Sequence, residues 1–586
     1  MQDSAETTNT PSTIYGPEAG FIVGETSPLE FTFVSNRELL PPRLEYLVVP
    51  GFEEKGNDAL TSLTSQSTNS TRVDILAQVV EVGIDSAILS ERLTYEETTA
   101  ILRGSYAPPP KMYGRAHVIG YLTGNMVRVP RCAAIPGSTV YIASDAFLKQ
   151  FFSLDVAAGI TVGTLINRPH VSVVLDPNGL RRHLAIIAQT GAGKSYLAGK
   201  FFESLLQLGA TILVFDPNSD YVQLRKQAGQ ENRPYHSAEK TSFADDIGIF
   251  RIPGIQGRRF PDEMIGPVKP FTVRFADLDH DEIADLAGIS DRASNQRRAI
   301  ELACDRLQKD GVDYRPQELI DALNEMAMPA KNGRQDEQQE LQQQDTSSDD
   351  PLAPDERRAA RKASQYIEDL RRFSIWDYQD VNIQDILQPQ KLTVVDLAGA
   401  DKTVAAYAAE RILRHIWKRA LTGQLHQPVF IVLEEAHNLI PAKGQTRASR
   451  IINTIAAEGR KFRVFLTLIT QRPSKISQDT LSQCGSQIVM QLTNPDDQRA
   501  VQQASEAISA ELLDDLPGLN KGEAIVLGQL TRIPVMAHIT GRDSAEGGSD
   551  IDIVSELERA RQDVQSARIA AAMRMRPTQP RQQEEW

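Results

Sequence analysis

The chain has 586 residues, 41% of them hydrophobic, with a net charge of −14; it is too long for one core and implies roughly two to four domains. The acidic balance argues against a surface coated in basic residues for wrapping nucleic acid. It does not exclude a ring that confines positive charge to a narrow channel.

Residues 1–18 are polar, lack the features of a signal peptide and read as a disordered tail. From 19 to 154, short β-rich runs (GFIVG, LEFTFV, LEYLVV, VDILAQVVEV, HVIGYL, STVYIA) are separated by turn residues, which predicts a small β-barrel. After about 155 the pattern changes to near-continuous apolar runs alternating with helical stretches. These are LAIIA (184–188), TILVF (211–215), LTVVD (392–396), VFIVL (429–433), VFLTLI (464–469), QIVMQ (487–491) and EAIVLG (523–528). Such runs predict an α/β core with a parallel sheet covered on both faces, built from 155–276 and 389–542. A helical insertion is expected over 277–388, and its tract 331–364, rich in Gln, Asp, Glu and Arg, reads as a flexible surface excursion. Residues 543–586 form a C-terminal extension that opens on a Gly/Ser linker, SAEGGS, before a charged helix. Three widely spaced cysteines, Cys132, Cys304 and Cys484, make neither a disulfide framework nor a zinc pattern. No run approaches the roughly 20 apolar residues of a membrane span, so a cytoplasmic protein without membrane attachment is expected.

The strongest chemical signal is AQTGAGKS, residues 188–195. It matches a phosphate-binding loop except that Ala188 stands where glycine is usual. Gly191 and Gly193 let backbone N–H groups turn inward around phosphates. Lys194 supplies a charge between the β- and γ-phosphates, and Ser195 offers its hydroxyl to Mg²⁺. Ala192 and Tyr196, within and just after the loop, complete the expected nucleotide contacts. The apolar strand before the loop and the helical run SYLAGKFFESLLQL after it supply the required setting.

A nucleotide cradle needs a metal partner and a group to activate water. Strand 429–433 ends in Glu434 and Glu435. Glu434 is the expected metal-side acid and Glu435 the residue that orients or deprotonates the attacking water. Gln471, closing the next strand, is placed to sense the γ-phosphate or that water. Arg460 is a candidate arginine finger, weighed against a cation that merely complements a helix end. His437 has no second ligand at metal spacing and reads as a hydrogen-bonded supporting residue; Asp216 either approaches the nucleotide or shapes its turn.

Taken together, HLAIIAQTGAGKS, VFDPNSDY, VFIVLEEAHNLIP, AAEGRKF, LITQRP, QLTNPDDQ and GEAIVLG resemble, in order and spacing, the HerA family of hexameric DNA translocases. That family is related to FtsK, conjugative-coupling and viral-packaging motors. The resemblance spans roughly 15–545 and implies a RecA-like P-loop ATPase core with an N-terminal β-barrel and a helical insertion. It further implies a homohexamer that threads double-stranded DNA through a central pore and hydrolyses ATP with Mg²⁺ at subunit interfaces. By the same resemblance Arg460 is a finger acting on the neighbouring site, Arg182 a second arginine that reads nucleotide, and His538 and Ile539 lie near the base. A NurA-like nuclease is the implied partner in DNA end processing. The alternatives are a phage-defence motor with another effector and a nucleotide-dependent scaffold with little turnover. Basic stretches PAKGQTRASR (441–450) and DRASNQRR (291–298) are candidate DNA-phosphate contacts.

Overall fold

The computed structural model describes residues 15–55, 70–86, 88–104, 109–124, 126–152, 154, 159–228, 243–328, 352–505 and 507–548, with short helical stretches between 553 and 566. Strands β1 (Glu18–Val23), β2 (Glu30–Ser35), β3 (Tyr46–Lys55), β4 (Ser70–Asp85) and β5 (Lys111–Thr123) are followed by a short β6 (Met126–Arg128) and by β7 (Thr139–Ile142). They pair antiparallel in the order β2-β1-β7-β3-β4-β5, and β2 pairs again with β5, closing a six-stranded barrel. Alternation drives the closure. In β2, Phe31 and Phe33 point inward to meet Ile22, Leu47, Ile75, Val79, Val118 and Val140. Gly20, at φ +146°, sits where a Cβ would lie 2.0 Å from the Val34 carbonyl oxygen, so a side chain there would force β1 from β2. The expected tail 1–18 is too long by several residues: β1 begins at Glu18, and the Tyr15 ring packs against Phe147 while its hydroxyl donates to Asp74. Residues 1–14 lie outside the described residues.

The second sheet holds twelve strands among the described residues. In chain order these are β8 (Ile160–Leu165), β9 (Arg168–Leu175), β10 (Leu184–Ile187), β11 (Thr211–Asp216), β12 (Ile247–Arg251), β13 (Lys269–Pro270), then β16 (Leu392–Asp396), β17 (Val429–Leu433), β18 (Val464–Thr470), β19 (Ser486–Met490), β20 (Glu523–Gly528) and β21 (Val535–Ile539). Two further short strands, β14 (Val273–Arg274) and β15 (Trp376–Asp377), pair only with each other. The spatial order is β13-β12-β16-β11-β17-β18-β10-β19-β20-β21-β8-β9. From β13 to β19 every pairing is parallel. Successive residues feed two separate cores: Leu184 and Ile186 face one, Ala185 and Ile187 the other, which is why the runs carry no alternation. The expectation of parallel pairing fails for EAIVLG. β20 runs antiparallel to β19, and β21, β8 and β9 continue antiparallel. An apolar run buried on both faces carries no mark of its direction.

The insertion contributes helices His280–Leu286, Ser294–Lys309, Pro316–Met326 and Pro354–Arg371, which share a core with the long helix Lys402–Leu421. The flexible tract expected over 331–364 is corrected at its end, because residues 354–364 begin the last of these helices. That helix buries Ala359, Ala360, Ala363, Ile367 and Leu370 on one stripe and turns its Arg and Glu residues outward. The rest of the tract up to residue 351 lies outside the described residues. Among the described residues, three ion pairs join the N-terminal region to the core: Arg43 meets Asp515, and Arg168 bridges Glu45 (2.7 Å) and Asp145 (3.2 Å). Among the described residues, no helix is long and apolar enough to cross a membrane.

Candidate nucleotide site

β10 ends inside the sheet, flanked by β18 and β19, and the chain then turns through Gly191 (φ +82°) and Gly193 (φ +104°) into helix Lys194–Gln207. Ala188 is fully buried, so its methyl occupies core space without disturbing the turn. No side chain caps this helix. Its first-turn amides and positive dipole end are therefore left for phosphate oxygens. Lys194 Nζ lies 2.6 Å from Glu434 Oε1 and 2.7 Å from Glu435 Oε1. The loop and the strand-end acids thus meet in the folded chain.

Burial disfavours the Lys194 ammonium, but the two carboxylates more than offset it and raise its pKa above the ordinary lysine range. Burial pushes Glu434 up, against the pull of Lys194. The Tyr221 hydroxyl donates to Glu434 Oε2 at 2.6 Å. Glu435 sits at φ +48°, a left-handed conformation uncommon for a residue with a side chain, which aims its carboxylate back at the loop. His437 Nδ1 stands 3.2 Å from Glu435 Oε2 and 3.3 Å from Thr470 Oγ1, a supporting position. Gln471 closes β18 and accepts from the Thr190 hydroxyl of the phosphate loop. On the other flank, Gly522 donates to Ala192 O (3.0 Å) and accepts from Ile539 N (2.8 Å), and the His538 ring lies against Gly522. The strand bearing His538 and Ile539 therefore ends beside the loop.

Two groups carry weight that sequence reasoning missed. The Ser195 hydroxyl donates to Asp220 Oδ2 (3.1 Å), which brings a further carboxylate to the end of the phosphate loop. Asp216 accepts from the amides of Asn218, Asp220 and Tyr221, and so builds the turn that presents Asp220 and Tyr221. Burial, followed by repulsion from Asp396 and Asp220, raises the Asp216 pKa well above the usual carboxylate range. The motif VFDPNSDY held these residues in view; their signal was a polar turn leaving β11, the sheet neighbour of β17.

The second omission is the segment after β21. Residues 544–548 of it, read as part of a linker, are instead packed with Arg542 beside the phosphate-loop helix. Fully buried Arg542 donates to Ser195 O (2.9 Å) and Ala545 O (2.7 Å), in space opened by Gly199. Buried Glu203 accepts from the amides of Asp543 and Ser544. The pairing of Arg542 and Glu203 with distant partners, with no local periodicity, left nothing for sequence reading to find.

Arg182 and Arg460 are not at this pocket. Both are exposed at the opposite edge of the sheet, Arg182 just before β10 and Arg460 in the turn Gly459–Phe462 just before β18. The length of β18, about 20 Å at 3.3 Å per residue, separates Arg460 from its own phosphate loop. The basic stretches fare unevenly. Arg297 is held by Asp281, Asp285 and Asp291, and Arg447 by Glu410 and Asp285, so neither is a free grip for phosphate. Lys443 and Arg450 are exposed.

The chain is similar to several known proteins. A family model described as "Helicase HerA, central domain" matches residues 160–416. The DNA double-strand break repair helicase HerA of Pyrococcus furiosus is 28% identical over 503 residues, covering 76% of this chain and 82% of that relative. The probable helicase MJ1565 of Methanocaldococcus jannaschii is 30% identical over 443 residues, covering 74% of this chain and 76% of that relative. Among solved structures, VirB4 of Thermoanaerobacter pseudethanolicus aligns with a TM-score of 0.42 at 14% identity, covering 66% of this chain and 98% of that one. The relatives match through most of their length, and the phosphate loop meets its strand-end glutamates here in three dimensions: the chain belongs to the HerA family and is an ATP-hydrolysing enzyme.

Proposed function

We propose that this enzyme is a double-stranded DNA translocase and helicase that works as a homohexameric ring in DNA end processing, hydrolysing ATP in pockets shared between neighbours. The observation that carries the shared pocket is the position of Arg182 and Arg460, on the sheet edge opposite their own phosphate loop. Arginines so placed serve a nucleotide only if it is bound by the next subunit. The DNA substrate rests on the relatives, which are named as DNA double-strand break repair helicases. A NurA-like nuclease is the partner we assign on the same footing.

The donor set suits ATP with Mg²⁺. Glu434 and Glu435 both bond the Lys194 ammonium and Asp220 bonds the Ser195 hydroxyl, so carboxylates outnumber the ammonium here. Ser195, Glu434 and Asp220 would hold the ion, which when bound neutralises charge on the phosphate oxygens. The protein's part follows from its own groups. Lys194 bonds both glutamates. An incoming triphosphate competes for that ammonium, and its transfer releases Glu435 to orient the attacking water, with Gln471 close by. Arg460 from the neighbour then neutralises charge that develops in the transition state.

The test is ATPase activity with linear duplex, single-stranded or no DNA, measured beside the native mass. Duplex-stimulated turnover by a hexamer is expected. Full turnover by a monomer, indifferent to duplex, would exclude this reading.

A further inference from the structure

His183 combines two features that rarely coincide. Its backbone lies at φ +61°, ψ 163°, a region populated almost only by glycine, yet it carries a large side chain that is 2% exposed. Something about the ring makes that conformation worth holding. The imidazole is bonded at both nitrogens: the Leu466 amide donates to Nδ1 (2.9 Å), and Nε2 meets the Ala456 carbonyl (3.0 Å). A backbone amide can only donate, so Nδ1 is the acceptor and Nε2 carries the hydrogen that Ala456 accepts. The neutral Nε2–H tautomer alone satisfies both bonds.

These two partners bracket the arginine turn. Ala456 is in the last turn of helix Ser449–Glu458, where carbonyls lack ladder partners, and Leu466 is the third residue of β18. Between them stand Gly459 to Phe462, with Arg460 exposed at the outer side, and Arg463, whose left-handed φ of +62° closes the turn. On its own chain, His183 is joined directly to Leu184, the first residue of the strand that runs into the phosphate loop. β10 and β18 begin their parallel pairing at Leu184 and Thr467, so the ring extends that ladder by one further link.

We infer that His183 is a positioning residue for Arg460: its imidazole holds both legs of the arginine turn against the strand that leads to the subunit's own phosphate loop, and so fixes the arginine offered to the neighbour. This rests on the reading of Arg460 as acting across the interface. It has a consequence of its own, since a shift of β10 in an occupied site is transmitted through one side chain to the finger serving the adjacent site.

The experiment is subunit mixing with His183→Gly, because glycine accepts this backbone conformation and removes only the ring. Alone, H183G should form rings and bind ATP within about threefold of the parent, while kcat falls roughly 10²-fold, the scale of a catalytic group misplaced by about 1 Å. Mixed with Glu435→Gln, it should regain turnover at interfaces where H183G supplies the pocket and E435Q the arginine. Arg460→Ala mixed with Glu435→Gln is run in parallel. If R460A is rescued and H183G is not, the ring serves its own phosphate loop and the inference is overturned. Undiminished kcat in H183G alone overturns it as well. If neither is rescued, the interface reading itself falls, and the inference with it. Should H183G not assemble, His183→Asn, whose amide oxygen can still accept from Leu466 while releasing Ala456, goes through the same mixing with the same outcomes.

Discussion

The two edges of the core sheet are built on opposite principles. At the edge where β10, β17 and β18 end, charged groups are buried and bonded to one another: Lys194 to Glu434 and Glu435, Tyr221 to Glu434, Ser195 to Asp220. At the edge where β10 and β18 begin, the charges of Arg182 and Arg460 are exposed, and the buried group is a neutral imidazole that holds the backbone beneath them. One edge has its chemistry satisfied within the subunit; the other presents chemistry outward.

The sharpest way to break that contrast is Lys194→Ala, which strands two buried carboxylates and removes the phosphate charge; ATP hydrolysis should fall to background in a steady-state assay. Arg460→Ala attacks the other edge. Turnover should drop about 10³–10⁵-fold while equilibrium ATP binding is kept. Equal loss of binding and turnover would place Arg460 in its own subunit's pocket and erase the distinction between the edges.

Acid should separate the edges by stability. Burial, with a smaller contribution from the Arg460 charge and against the bond to Ala456, lowers the His183 pKa from 6.5 to about 4. A base whose pKa is lowered on folding contributes stability that is fully present above about 6.5 and is lost as pH falls towards 4, because the unfolded chain takes up the proton first. The contribution is about 3 kcal/mol at most. The Tm gap between the parent and His183→Gln should therefore narrow between pH 7.5 and 4.5; a constant gap would mean the imidazole is not held neutral. The smallest effect is expected far from both edges. Arg298, paired with Glu301 on an exposed helix face, should leave the Tm essentially unchanged when replaced by alanine.

The nucleotide edge was legible because its parts are short contiguous motifs at strand ends, where chain direction alone determines what they meet. Residues 188–195, Glu434, Glu435 and Gln471 converge as their spacing implied. At the opposite edge Arg460 and Arg182 were legible as residues, but the expectation that Arg460 acts on a neighbouring site came only from the family resemblance, because an arginine before a strand carries no sign of which site it serves. His183 was invisible: its role depends on partners at 456 and 466, far along the chain, and on a dihedral angle that no residue type announces. The helix at 354–371 was half misread for another reason. Half of its buried stripe is alanine, which composition hides beneath the arginines and glutamates of its outer face.

Gly548 packs beside the phosphate loop. A methyl group on Gly548 would stand 2.9 Å from the Ser195 hydroxyl and 3.0 Å from the Asp220 carboxyl carbon. Shortened proteins should accordingly be cut after this glycine and never ahead of Arg542, since the earlier cut would withdraw the guanidinium that props the first turn of the phosphate-loop helix. Whatever is fused beyond residue 548 starts its path beside the Ser195 hydroxyl, and a reporter dye attached there should respond to added ATP if the proposed pocket fills.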